Sequence, residues 1–271
     1  MRNKISKEFD KKGFVIVKNL LSKSEIKLIY SQLNSVINTI IKSHKFNISK
    51  NKNLDYKYLF LKRKNPEVKS RFYNMLKYLD SLSSLSSSKK ILNIIKYLLN
   101  SKTVFMFGQR FRLDHSEDQN NVPLHQELNN ISNDFVLMWI PLVDVSKKTG
   151  TLCIIPESHK YGHLMYKDSK KVAQVHKVGI IKNIMNDKEK KNYNNPIVKK
   201  LFNKKRIHHV CLKPGDAIFF KPYLFHGSTP NVLKRIRWTF LATYHPIDKV
   251  PYLKDRKNKI RIPYNMDYNK L

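Results

Sequence analysis

The sequence predicts a mostly β protein with flanking α-helices, its strands forming a sandwich or a barrel. Two observations carry this. In the first hundred residues, apolar side chains recur at helical spacing in separate segments. Beyond residue 100 they gather into seven short runs with turn residues between them. The 271 residues, 41% hydrophobic and 11% aromatic, suffice for a substantial core and read as one domain. Its expected parts are a mainly helical stretch, 1–100, a β core, 101–246, and a tail, 247–271.

Taken in order, the chain begins basic and then turns apolar. Lys18 cuts the apolar part short and no small-residue cleavage site follows, so a signal peptide is not expected. Phe14–Val17 has strand character. Ser22 and Glu25 fit a capping box, and Ile26, Ile29, Leu33, Ile37 and Ile41 follow at helical spacing, which predicts a helix over about 23–42. Residues 43–65 are polar and read as a loop. Pro66 is placed to open a second helix toward Leu79, which the serine-rich run 81–88 should break. Lys89–Leu99 carries Ile91, Leu92, Ile95, Leu98 and Leu99 on one side, a third helix.

The β part is expected at Thr103–Leu113, Leu124–Leu128, Phe135–Val143, Thr151–Ile155, Ile207–Leu212, Ala217–Phe220 and Arg235–Tyr244. Turn residues stand at 147–150, 213–216 and 227–231. A long insert, about 160–206, holds fourteen Lys or Arg and three acidic residues. Its length suits either a functional lid or a solvated surface loop.

Composition narrows the class. No apolar run approaches the roughly 18 residues that cross a bilayer. Cys153 and Cys211 both sit in apolar runs, as two buried, reduced thiols of a cytoplasmic protein would. A net charge of +33 invites a polyanion partner. The excess of Lys, Asn, Ile and Tyr, with only seven glycines, equally fits a codon bias toward A and T. Aromatic residues are not interleaved with the basic ones as a nucleic-acid stacking platform requires, which argues against that partner.

The chemistry centres on PLHQELNN, residues 123–130. In an extended segment His125 and Glu127 point to one face. His226, in YLFHGSTPN, supplies a second imidazole at the expected end of a distant strand. Two histidines and a carboxylate match the facial triad of non-haem Fe(II), which leaves coordination positions open. On the following strand Arg235, Arg237, Thr239 and Leu241 alternate onto one face. An arginine buried there needs an anion, and a chelating 2-oxo diacid provides one. Arg110 and Arg112 share a face of the strand before His125, placed equally to meet an anionic substrate or the cosubstrate and to make surface salt bridges.

These segments resemble the phytanoyl-CoA dioxygenase family of Fe(II)- and 2-oxoglutarate-dependent oxygenases. The resemblance covers KKGFVIVKNLLSKSEI, PLHQE, LMWIPLVDVSKKTGTLCIIPESHKYGH and LKPGDAIFFKPYLFHGSTPN…RIRWTF. It implies a double-stranded β-helix, or jelly-roll, core with helices packed outside. It also implies His125, Glu127 and His226 as iron ligands and Arg237 as partner of the distal carboxylate of 2-oxoglutarate. Ser228 and Trp139 would line the cosubstrate pocket. The activity implied is hydroxylation of an unactivated C–H bond of a small or carrier-linked, anionic metabolite, with Fe(II), 2-oxoglutarate and O2, releasing succinate and CO2. The family usually has aspartate where this chain has Glu127, one methylene longer. That departure leaves room for an inactive jelly-roll binding protein. The oligomeric state is not legible.

Overall fold

The computed structural model describes residues 2–49, 51–118, 122–127, 134–162 and 207–249. Most of the basic insert and most of the C-terminal tail lie outside the described residues.

Nine strands form two antiparallel sheets. They are β1 (Phe14–Val17), β2 (Val104–Asp114), β3 (Val122–His125), β4 (Val136–Pro141), β5 (Leu152–Ile154), β6 (His208–Val210), β7 (Ala217–Phe220), β8 (His226–Ser228) and β9 (Arg237–Pro246). The larger sheet has the order β1-β7-β4-β9-β2 and the smaller β3-β8-β5-β6. Leu137, Trp139, Ile218 and Phe220 of the first pack against Leu152, Ile154 and Val210 of the second. The sheets therefore face each other as a jelly-roll does.

The larger sheet is buried on both sides. Val136, Met138 and Ile140 of β4 alternate with Leu137 and Trp139 and point the other way, into a core shared with the helices. That is why residues 136–141 read as one continuous apolar run rather than an alternating one.

The helices are α1 (Arg2–Lys12), α2 (Lys23–Ser43), α3 (Leu54–Lys64), α4 (Pro66–Met75), α5 (Asp80–Ser86) and α6 (Lys89–Leu99). The Ser22–Glu25 capping box forms, and Ile29, Leu33, Ile37 and Ile41 are the buried stripe of α2. No helix among the described residues is long and apolar enough to cross a membrane.

Several expectations change. Part of the presumed loop 43–65 is α3, capped by the Asn53 side chain, with Leu54, Tyr58 and Leu61 buried. Tyr56, Leu59 and Phe60 lie off that stripe, so the segment shows no one-sided apolar pattern. The serine run is itself helical: Leu82 and Leu85 are buried and the Ser86 hydroxyl donates to the Leu82 carbonyl. The break falls earlier, at extended Leu79. Helix α1 went unread behind its lysines. Cys153 is buried, but Cys211 is exposed, just past the end of β6. Both thiols are free.

Asp55 of α3 ties the helical layer to β9. Its carboxylate accepts from the Ile236 amide at 2.9 Å and the Trp238 indole at 2.7 Å. The two donors flank Arg237 in sequence, so helix packing sets the register in which that side chain enters the sheet interior.

His245, on β9, is fully buried and stacks on Phe135 with ring centroids 4.8 Å apart. Burial pushes its pKa down from 6.5 to about 4. The folded state therefore favours the neutral ring, while the unfolded chain takes up a proton below its ordinary pKa. The stabilisation is complete above pH 6.5 and is lost as pH falls toward 4. The loss should reach roughly 3 kcal/mol. Denaturant melts between those pH values should show a shallower pH slope for His245→Phe than for the wild type. Equal slopes would show that His245 does not carry this dependence.

Candidate active site

His125 is the last residue of β3 and pairs in register with His226, the first residue of β8. This cross-strand pairing brings the two rings to a centroid separation of 4.3 Å. Glu127 lies beyond the end of β3 rather than within it, and its amide donates to the Pro222 carbonyl at 2.8 Å. Between them, Gln126 donates to the carbonyls of Tyr223 and Gly162 at 2.7 and 2.9 Å. These bonds hold the segment so that His125 and Glu127 converge, as the two-residue spacing predicts.

The Glu127 Oε1 lies 3.5 Å from His125 Nε2 and 3.8 Å from His226 Nε2. One donor atom from each of the three residues falls within 4.8 Å of the others. His226 Nδ1 lies 2.9 Å from the Leu224 carbonyl. With Nδ1–H donating there, the Nε2 lone pair points to its neighbours, the tautomer a metal ligand needs. Burial lowers the His226 pKa, helped by His125 and opposed by Glu127. Burial also works against charge on Glu127, yet the two imidazoles prevail and hold its carboxyl well below the usual carboxylate range. The donor set is therefore two imidazoles, that of His226 biased toward its neutral form, and one carboxylate held ionised. His226 opens a strand instead of ending one, because β7 stops at Phe220 and the chain turns before β8.

Arg237 is 1% exposed, one of the largest fully buried side chains among the described residues. Its Nη2 donates to Asp114 Oδ2 on the neighbouring strand, where the two residues are paired in register. Its Nε and Nη1 are buried and have no hydrogen-bond partner. Buried N–H groups left without acceptors are costly, and on a guanidinium they mark a place for an anion. Arg235 is exposed and its Nη2 donates to the Asp144 carbonyl at 3.2 Å, so it does not enter this cavity.

The three donor residues and Arg237 line one cavity together with Trp139, Ser228, Arg110 and Arg112. Ser228 is mostly buried, and its hydroxyl accepts from the Val122 amide at 3.2 Å. His125, Glu127, His226, Arg237, Ser228, Trp139, Arg110 and Arg112 thus meet at one place, and Arg235 does not. His159 does not join them: its Nε2 lies 2.9 Å from the Asp10 carbonyl, against the N-terminal helix. Asp114 was missed. The signal was present, since Arg110, Arg112 and Asp114 alternate with Phe111 and Leu113, which are buried against the helices.

The model of the phytanoyl-CoA dioxygenase family matches residues 9–238. The chain belongs to that family. Curated relatives include the peroxisomal phytanoyl-CoA dioxygenases of Bos taurus and Homo sapiens, each 22% identical. The matches cover 83% and 85% of this chain but 63% and 64% of those proteins. The chain thus spans a little under two thirds of the length of these relatives. Among solved structures, the alpha-ketoglutarate-dependent epimerase SnoN from nogalamycin biosynthesis superposes with a TM-score of 0.59 at 14% identity, covering 98% of this chain and 96% of its own. The apo form of EctD from S. alaskensis gives a TM-score of 0.59 at 13% identity, covering 96% and 82%. These two likenesses speak to the fold, the jelly-roll with outer helices that the resemblance implied.

Proposed function

We propose that this chain is a single-domain Fe(II)- and 2-oxoglutarate-dependent oxygenase. One observation carries the reading: a two-histidine, one-carboxylate cluster shares its cavity with a buried arginine that has two unsatisfied N–H donors. The residues present suit both groups. Imidazole and carboxylate are ligands for Fe(II), and three of them leave coordination positions open. A planar guanidinium offers the two-pronged donor that a carboxylate takes up.

In this reading His125, Glu127 and His226 hold the metal, and Arg237 receives the distal carboxylate of 2-oxoglutarate. Bound there, the metal and its cosubstrate supply the oxidising chemistry by which O2 is turned on a C–H bond, with succinate and CO2 as co-products. The protein's own part is placement. The Leu224 carbonyl fixes the His226 tautomer. Asp114 holds Arg237 by one nitrogen and leaves the other two free. Trp139, Leu137, Phe220 and Leu241 wall the cavity with apolar surface, which strengthens the charge interactions inside it.

Glu127 supports activity rather than decay. Its extra methylene follows a backbone anchored at Pro222, and the carboxylate still reaches both imidazoles. The favoured outcome at the C–H bond is hydroxylation of a small molecule. Solved relatives named as an epimerase and a carbocyclase show that this fold also serves other outcomes in those proteins.

The test is anaerobic addition of Fe(II) and then 2-oxoglutarate to the purified protein. A weak visible charge-transfer band is expected for the chelate. A folded protein that takes up iron but gives no band, or takes up none, would contradict the reading.

A further inference from the structure

We infer that Arg110 anchors an anionic group of the molecule to be oxidised, at the mouth of the cavity and beside Glu127. The inference rests on the oxygenase reading and adds a substrate class to it: a small carboxylate or phosphate monoester. The starting point is strand β2, on which Arg110, Arg112 and Asp114 succeed one another on the face turned to the cavity. In register they stand opposite Leu241, Thr239 and Arg237 of β9.

The three charges have different fates. Asp114 is buried and accepts from Arg237. Arg112 is partly exposed, and its Nε donates to the same Asp114 oxygen at 3.1 Å. Arg110 makes no hydrogen bond among the described residues. Its one close charge contact is Glu127 Oε1, 4.0 Å from Nη2, and its side chain is 62% exposed. It stands at the open end, with the apolar wall and the donor cluster behind it.

A count of charge points the same way. Among the described residues, three arginines line this cavity, and two carboxylates, Glu127 and Asp114, answer them. One positive charge is left over. Iron(II) and the 2-oxoglutarate dianion carry equal and opposite charge, so loading both leaves that excess in place. Arg237 and Arg112 share Asp114, and Glu127 is engaged with two imidazoles. With Glu127 answering the metal and the distal carboxylate of 2-oxoglutarate answering Arg237 in the loaded site, the excess falls on Arg110. A guanidinium at the rim of a low-dielectric cavity attracts and orients an anion, most strongly one with two oxygens to match its fork.

The position also limits where oxidation occurs. The guanidinium is 4.0 Å from a candidate metal ligand, so an anion held on it lies only a few bonds from the metal. The carbon attacked is then close to the anionic group, not at the far end of a long chain.

The test uses the full chain without oxygen, with iron(II) and 2-oxoglutarate present so that the Arg237 position is filled. Butanoate and butyl phosphate are titrated against their neutral counterparts butanamide and butan-1-ol, by calorimetry. The wild type is expected to bind at least one anion about tenfold more tightly than its neutral counterpart, a charge-assisted pair at a part-exposed site. The anion that wins tells carboxylate from phosphate. Arg110→Gln should lose the preference, and Arg110→Lys should keep part of it. The residue is exposed, so thermal melts of both variants should match the wild type.

Three results would overturn the inference. One is no preference for either anion in the wild type. Another is a preference that survives in Arg110→Gln. The third is a preference that disappears in Arg237→Ala alone, which would place the anion in the cosubstrate position. The visible band of the wild type reports on the oxygenase reading separately. Arg110-dependent anion binding without a band would leave the anion site standing and remove the oxygenase.

Discussion

Replacing Arg237 with alanine is expected to raise the dissociation constant for 2-oxoglutarate by roughly 30-fold or more, the effect of truncating one partner of a buried charge pair. The variant removes two buried N–H donors that have no partner, on a side chain that lines the cavity. It also removes the Nη2 bond to Asp114, whose carboxylate then keeps only Arg112. Stripping a buried acid of its main cation destabilises the fold, by as much as about 3–5 kcal/mol where nothing else compensates. The melting temperature should therefore fall as well. Arg237→Lys separates the two effects. A lysine keeps the charge for Asp114 but has no fork to offer a second carboxylate. It should recover stability more fully than cosubstrate affinity. The readout is the visible band of the iron chelate against 2-oxoglutarate concentration. A folded Arg237→Ala protein with the affinity of the wild type would refute the role given to this arginine.

Removing His226 is expected to cost iron affinity by more than roughly 100-fold, beyond what loss of an outer partner of a metal ligand costs. The residue contributes one of three donors that converge within 4.8 Å, and among the described residues no other group of three or more such side chains could hold a metal. His209 on β6 is the control. It belongs to the same sheet and is partly buried, but it does not line the cavity. His209→Ala should leave iron uptake as it is. Anaerobic equilibrium dialysis against Fe(II) measures both. Iron retained by His226→Ala at wild-type affinity would place the metal elsewhere. Because His226 is buried, the His226→Ala protein needs a melt to show that it is folded.

Much of the fold was legible because local rules suffice for it. The capping box at Ser22 and the stripe from Ile29 to Ile41 specify α2 without help from the rest of the chain. Lys89–Leu99 was read to its ends for the same reason, its apolar residues all falling on one face. Helix α3 was not, because its apolar residues, Leu54, Tyr56, Tyr58, Leu59, Phe60 and Leu61, do not fall on one face of a helix. What makes it helical in the protein is the burial of Leu54, Tyr58 and Leu61, with Tyr58 packing on Phe72 of α4 and Trp238 of β9. The serine run is a similar case, since Leu82 and Leu85 find a core to enter. Serine's weak helical preference is then outweighed by tertiary contact.

The site divides along the same line. Residue types and the two-residue spacing of His125 and Glu127 were enough to expect their convergence, although Glu127 lies beyond β3 and the bonds at Pro222 and Gln126 complete it. The alternation around Arg237 was enough to ask for an anion. The sequence by itself therefore determined most of the groups that converge, Asp114 excepted, and most of the elements that carry them. Only the tertiary structure decided how they meet. The β3–β8 register sets His125 against His226. The β2–β9 register sets Asp114 against Arg237, turning a strand residue with no motif into the holder of the buried charge. It likewise separated Arg235, exposed, from Arg237, enclosed, and left the exposed side chain of Arg110 4.0 Å from Glu127. Pairings of this kind span about a hundred residues of chain. Long-range packing fixes them, and no local pattern of spacing or propensity records it.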